Sequence, residues 1–322
     1  MRTPAFWSKD SWVSGMLLPA SAIYEIITHI KNRITKPVKI QVPVICVGGL
    51  TAGGAGKTPV CLHIGELCKE RGINAWFVSR GYKGKLQGPI QVKPSEHTSY
   101  DVGDEPLLLA GVLPTVIAKD RVLGAQFAAK AGAKLIIMDD GFQNSAIHKD
   151  ISIIVVDGTH LFGNGRLLPA GPLRERLETG LKRADAIILI NPATGITLPA
   201  YTRPALRACT KPNNDAVALK GKNVIAFCGL AYPQKFFATL ASLGAKIVEE
   251  RTFPDHYQYN DAEIDALALR AKEQDAILVT TSKDAARMNA RSLSLITVIY
   301  VTLDFEKPDA LMALIDKALT AS

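Results

Sequence analysis

An α/β fold is predicted for this chain: a mostly parallel sheet with helices on both faces, followed by a second, smaller α/β/α domain. Three observations lead there. Short apolar runs rich in Val and Ile alternate with segments of helical periodicity, and the first run opens into a glycine-rich loop. The same alternation then starts afresh beyond residue 215. Continuous apolar strands between helices are the mark of a sheet buried on both faces.

The elements follow in chain order. Between Trp12 and Ile30 the residues are largely apolar, but Pro19, Glu25 and His29 interrupt them. That falls short of the run of about 18 apolar residues a membrane-spanning helix needs. Ile23, Ile26, Ile27, Ile30 and Ile34 share one helical face, and Lys31, Arg33 and Lys36 come at its end. Trp7, Trp12 and Tyr24 flank the apolar part. A helix of this kind either lies in a membrane interface or packs on its own domain. VPVICV (42–47) is the first strand, and a helix from Lys57 to Arg71 stops at Gly72, a natural C-terminal cap. AWFVS (75–79), TVIA (115–118), LIIMD (135–139), ISIIVVD (151–157) and AIILI (186–190) read as further strands, with helices such as 121–132 between them. RACTKPNNDAVALKGK (207–222) is expected to be a connector, dividing a domain of residues 1–215 from one of residues 216–322. In the second domain NVIAFCGL, KIVEE, AILVTT and TVIYV supply strands, and a helix ends the chain.

Whole-chain properties narrow the function. At 322 residues the chain exceeds one ordinary core, which supports two domains. The formal net charge of +8 suits nucleic acid, anionic lipid or a phosphorylated substrate equally. Its distribution does not: no Lys/Arg run interleaved with aromatics occurs, so no nucleic-acid partner is expected. Residues 1–40 instead carry six basic residues against two acidic ones. Five scattered cysteines (46, 61, 68, 209 and 228) contain no CxxC pair and read as reduced cytosolic thiols. The opening MRTPAFWSKD has no continuous apolar segment or small-residue cleavage site, so no secretory signal is expected.

The strongest local signal is TAGGAGKT (51–58), placed directly after a strand and directly before a helix. This is the order of a P-loop NTPase-like site, in which backbone N–H groups turn inward around phosphate oxygens. Thr51, Ala52, Gly53, Gly54, Ala55 and Gly56 would form the cradle, although Thr51 stands where the first glycine usually is. Lys57 would neutralise the β/γ-phosphates and Thr58 offer its hydroxyl to Mg²⁺. Asp139 and Asp140, closing the strand LIIMD, are placed to organise the same metal. The nucleotide is expected to be ATP, since no Asn-Lys-x-Asp guanine clamp occurs and SKD (282–284) has Lys and Asp adjacent. Asp104–Glu105 before Pro106 read by themselves as the start of a helix, and His256 as a turn residue.

Around the loop stand VGDEP (102–106), KDR (119–121), DDGFQ (139–143), GRLLPAGPLRE (165–175), FPDHY (253–257) and TTSKD (280–284). With RTPAFW (2–7) and the Pro that follows Thr58, their order resembles the tetraacyldisaccharide 4'-kinases, the lipid A 4'-kinases, up to about residue 287. The resemblance implies two α/β/α domains facing across a cleft, and ATP as donor to the 4'-hydroxyl of a lipid-linked disaccharide 1-phosphate. It implies Asp104 as the base, His256 as its partner from the second domain, and Glu105 as a further Mg²⁺ ligand. Arg174 is suited to a phosphate of substrate or nucleotide, because a guanidinium binds oxyanions bidentately. Arg121 and Arg80 are weaker candidates, Lys283 and Asp284 have no assigned role, and Asn144 departs from the His that many relatives carry. The implied setting is the cytoplasmic face of the inner membrane, reached peripherally through the N-terminal helix, with no protein partner. Two rivals remain: a P-loop kinase or ligase for a soluble metabolite, and a nucleotide-driven switch that transfers no phosphate.

Overall fold

The computed structural model describes residues 4–193, 198, 201, 203–212 and 219–320. Arg2 and Thr3 of the RTPAFW phrase, and residues 213–218 of the expected connector, lie outside the described residues. Thirteen strands occur among the described residues: β1 Val44–Gly48, β2 Ala75–Ser79, β3 Ile90–Gln91, β4 Thr115–Ile117, β5 Leu135–Asp139, β6 Ile151–Asp157 and β7 Ala186–Ile190. They continue as β8 Ala205–Pro212, β9 Asn223–Cys228, β10 Lys246–Thr252, β11 Ile277–Thr281, β12 Thr297–Ile299 and β13 Val301–Phe305.

Nine of them form one sheet in the order β13-β8-β7-β6-β1-β5-β2-β4-β3. The seven from β8 to β4 are parallel, and the two edge strands β13 and β3 are antiparallel to their neighbours. Alternation along β1 explains the burial. Ile45 and Val47 point into one core with Val60 and Ile64 of helix Lys57–Glu70, while Val44 and Cys46 point into another with Ala125 and Ala128 of helix Arg121–Lys130. Both faces are therefore covered, as the unbroken apolar runs require. Helix Lys57–Glu70 ends where expected: Arg71 is its cap and Gly72 takes φ +67°. A second, all-parallel sheet has the order β10-β9-β11-β12.

Two expectations are corrected. TVIYV is not one strand: β12 stays in the small sheet, while β13 crosses back to pair with β8. The terminal helix Pro308–Thr320 then packs Leu311, Leu314 and Ile315 into the core of the large sheet. The small domain is thus an insertion, and residues 301–320 belong to the first domain rather than to a unit of residues 216–322. The start of the expected connector is also a strand. In β8, Leu206 and Ala208 face the core between more accessible neighbours, an alternation masked by the polar and Pro residues around it.

Candidate active site

The glycine-rich loop lies where β1 opens into helix Lys57–Glu70. Gly53 and Gly56 have φ of +122° and +84°, and a Cβ on Gly56 would lie 2.6 Å from Ile190 Cδ1. Only glycine suits that position. Gly56 is also the helix N-cap and places no side chain over the first N–H groups, which leaves them to an anion. The loop is pinned from outside by the 165–175 phrase. Ala52 N–H donates to Pro172 O at 2.8 Å, and Arg174 N–H donates to Leu50 O at 2.7 Å.

Three of the expected residues meet beside the loop. Lys57 Nζ and Arg174 Nη1 both reach Asp140 Oδ1, at 3.0 and 2.9 Å. Arg174 also donates to Gln143 Oε1 at 3.3 Å, and Gln143 Nε2 donates to Gly49 O at 3.0 Å. Burial alone would raise the Asp140 carboxyl, but Lys57 and Arg174 outweigh it and hold it down to about 2. Asp140 has φ +47°, an uncommon backbone for a residue with a Cβ, and it turns the two aspartates to different tasks. Asp139 is buried and accepts from Ser79 Oγ at 3.4 Å and Cys61 Sγ at 3.5 Å. Burial, with the charges of Glu105 and Asp140 nearby, pushes its carboxyl well above the usual range.

That mutual repulsion is the test for a metal. A buried carboxylate such as Asp139, with the charges of Glu105 and Asp140 close by, forms a place where a cation is favoured. Among the described residues no group of three His, Cys, Asp or Glu side chains is arranged to hold a metal ion unaided. A Mg²⁺ bound with nucleotide needs none, since phosphates and waters supply most of its oxygens. Asp139, with Thr58 at the helix start, fits such a role. Asp140 is engaged by Lys57 and Arg174, and Glu105 by Lys283 Nζ at 3.0 Å.

A second cluster forms where the small domain meets helix Asp104–Ala110. His256 Nδ1 lies 3.0 Å from Asp104 Oδ2 and 3.2 Å from Oδ1, although 152 residues separate the two. Arg287 donates to Asp104 Oδ2 from Nη2 at 2.6 Å and from Nε at 3.1 Å. Asp104 also accepts the Glu105 N–H at 3.1 Å, so part of its helix-start reading holds. Burial alone would raise the Asp104 carboxyl, but the His256 hydrogen bond and the charges of Lys283 and Arg287 hold it far below the usual range. Residues missing from the sequence reading are Arg287 and Gln143; Arg287 follows Asp284 by one helical turn, which was the only available hint.

The weaker candidates separate. Arg80 is exposed, whereas Arg121 is buried and donates to Ala118 O at 2.8 Å. With Lys31, Lys119 and Asn144, Arg121 lines a cleft of about 490 Å³. His148 is half exposed and 3.6 Å from Asp150, away from both clusters.

The N-terminal helix Leu18–Ile34 reverses the usual amphipathic arrangement. Three of its polar residues face the protein: Ser21 Oγ donates to Leu167 O at 2.9 Å, Tyr24 Oη to Arg174 O at 3.0 Å, and Glu25 pairs with Arg176. Its apolar residues face outward, with Ile23, Ile26, Ile27, Ile30 and Ile34 all more than half exposed, as are Trp12 and Met16 on the preceding turn. Packing of that face on the core is therefore excluded. No helix among the described residues is long and apolar enough to cross a membrane.

The sequence pattern of the tetraacyldisaccharide-1-P 4'-kinases matches residues 13–320. The chain belongs to that family. It is 44% identical to the tetraacyldisaccharide 4'-kinase of Rhodospirillum rubrum over 99% of this chain and 98% of the relative. It is 43% identical to the namesake of a Bradyrhizobium strain over 100% and 96%. Among solved structures, that of LpxK from Aquifex aeolicus in complex with ATP aligns with TM-score 0.78 and 31% identity, covering 95% of this chain and 99% of that one. As in other tetraacyldisaccharide 4'-kinases by name, the chemistry is transfer of a phosphoryl group. The charge of Glu105, next to Asp104, acts on Asp139, next to Asp140, and so links the two clusters.

Proposed function

We infer that this protein moves the γ-phosphoryl group of ATP to the 4'-hydroxyl of a lipid-linked tetraacyldisaccharide 1-phosphate, in the biosynthesis of lipid A. The observation that carries the reading is the contact between His256 and Asp104 across the domain boundary, in a chain whose phosphate loop holds its lysine against Asp140. Phosphoryl transfer needs mainly positioning and charge neutralisation, with help in removing the proton of a weakly nucleophilic hydroxyl. Lys57 takes the β/γ-phosphate charge, and backbone N–H groups between Gly53 and Thr58 hold the phosphate oxygens. Arg174, with one partner on Asp140 and another on Gln143, is turned toward the transferred group or a substrate phosphate. Asp104 and His256 act as a unit on the hydroxyl proton: Asp104 fixes the ring through Nδ1 and the pair accepts the proton. Asp139 and Thr58 would hold a Mg²⁺ bound with ATP, with Glu105 and Asp140 as the nearby carboxylates, and the ion would supply neutralisation of charge on the phosphate oxygens.

The substrate's acyl chains stay in a bilayer, and the outward face of helix Leu18–Ile34 suits a peripheral position at the cytoplasmic face of the inner membrane. Lys31, Arg33 and Lys36 at its end would add attraction to anionic headgroups. A kinase or ligase for a soluble metabolite would have no use for such a face, which favours the lipid reading. The test is incubation with γ-labelled ATP and the disaccharide 1-phosphate in mixed micelles, followed by chromatography of the lipid fraction. Label is expected in a bisphosphorylated lipid. Hydrolysis of ATP with no labelled lipid would overturn the reading in favour of a nucleotide-driven switch.

A further inference from the structure

The small domain presents three side chains to two adjacent carboxylates of the large one: His256 and Arg287 to Asp104, and Lys283 to Glu105. Arg287 is the best seated of them. Its side chain is fully buried, and Nη1 is tied within its own domain, reaching Asp284 Oδ1 at 3.0 Å and Gly229 O at 3.3 Å. Asp284 is itself immobilised, accepting from Gly229 N–H at 2.8 Å, Tyr259 Oη at 2.8 Å and Thr281 Oγ1 at 2.5 Å. The Gly229 carbonyl accepts a second bond, from the backbone N–H of His256 at 3.2 Å. One peptide unit therefore holds both the arginine and the histidine that converge on Asp104.

We propose that Arg287, seated by Asp284, is the positioning residue that sets Asp104 against His256 when the small domain docks. This rests on the reading of Asp104 and His256 as the proton-accepting unit. A planar guanidinium with donors in fixed directions can clamp one carboxylate oxygen from two nitrogens while a third nitrogen stays tied to its seat. With Oδ2 clamped, the carboxylate cannot swing, and both its oxygens remain within reach of His256 Nδ1. A lysine has no such fork. It could neutralise Asp104 or Asp284, but not span them in one plane. Lys283 and Asp284, which have no role in the sequence alone, thereby acquire one each: Lys283 steadies Glu105 and Asp284 steadies Arg287.

The experiment uses the full chain and compares Arg287→Lys, His256→Ala and their double variant. It reads kcat at saturating MgATP, KM for ATP and the melting temperature. Misplacing a catalytic group by about 1 Å can cost about a hundredfold, so Arg287→Lys is expected to lower kcat by about 10- to 100-fold. KM for ATP should stay within about twofold, because Arg287 touches no part of the phosphate loop. In the His256→Ala background the same change should cost less than about threefold, since groups acting through one another are not additive. A purely structural ion pair would instead lower the melting temperature and cost the same in both backgrounds, and that result overturns the proposal. If Arg287→Lys keeps wild-type kcat while His256→Ala is crippled, only the role of Arg287 falls. If His256→Ala is fully active, the proton-accepting unit falls and Arg287 with it. Should Arg287→Lys fail to fold, Asp284→Asn loosens the seat with Arg287 in place, and the same kcat and non-additivity criteria apply to it.

Discussion

The phosphate cluster and the proton cluster are built in opposite ways. Lys57, Asp140, Gln143 and Arg174 all belong to the large domain, and backbone bonds between the 165–175 phrase and the loop pin them together. Asp104, His256 and Arg287 meet only because two domains dock, across separations of 152 and 183 residues. One cluster is preformed and the other is conditional. The difference suggests an order of events in which nucleotide can be gripped by one domain alone, whereas the hydroxyl is activated only when the second is in place. Confining the reactive geometry to the docked state is a recognised way to keep water from the γ-phosphate.

Five variants would break or sharpen the comparison. Lys57→Ala strikes the preformed cluster and should have the largest effect, a kcat loss of about 10³ to 10⁵, because the developing phosphate charge is left uncompensated. Lipid phosphorylation near the wild-type rate would remove the loop from the catalytic site. Asp104→Asn and His256→Ala strike the conditional cluster. Each should lower kcat by about 10² to 10⁴ with nucleotide affinity little changed, and the double variant should be scarcely worse than either single one. Multiplicative losses would split the pair into independent roles. Arg174→Lys keeps the charge but loses the planar fork, and a loss of about tenfold in kcat/KM is expected; an unchanged value would make its bonds to Asp140 and Gln143 incidental. Smallest in chemistry is Ile26→Asp with Ile27→Asp. It should move the protein from vesicles to the soluble fraction in a flotation assay, while kcat on a detergent-dispersed substrate stays within about twofold. Vesicle binding that persists in the folded variant would argue against the helix as the membrane contact.

How much of this was legible in the sequence follows the same division. β1, the loop and helix Lys57–Glu70 are contiguous, so strand pattern, glycines and helix start can be read in a single window. Asp139 and Asp140 were marked by ending an apolar strand. That φ +47° at Asp140 sends one to Lys57 and leaves the other buried beneath is a backbone property no composition reveals. Asp104 and His256 read as a helix start and a turn, and only the family phrases singled them out. Arg287 carried no signal beyond its one-turn spacing from Asp284, because its meaning is a contact in space. Strand β8, expected as a connector, and the returning β13 have the same origin: partners far along the chain decide which half-apolar segments become strands. The N-terminal helix is the clearest case. Periodicity reveals an apolar face but not which way it points, and only the bonds of Ser21, Tyr24 and Glu25 decide that.

One short path through the molecule has a further consequence. Tyr24 on the outward-facing helix holds the carbonyl of Arg174, the N–H of Arg174 is held by Leu50 at the mouth of the phosphate loop, and the guanidinium of Arg174 touches Asp140. A single residue thus joins the surface proposed to rest on lipid to the place where phosphate is handled. If that surface floats in the headgroup layer, the path works as a fixed-length strut, setting the altitude of the reaction above the hydrocarbon. Such an enzyme would select its acceptor partly by the height at which a hydroxyl rides over the bilayer. A soluble sugar, however similar in its hydroxyls, has no altitude to match.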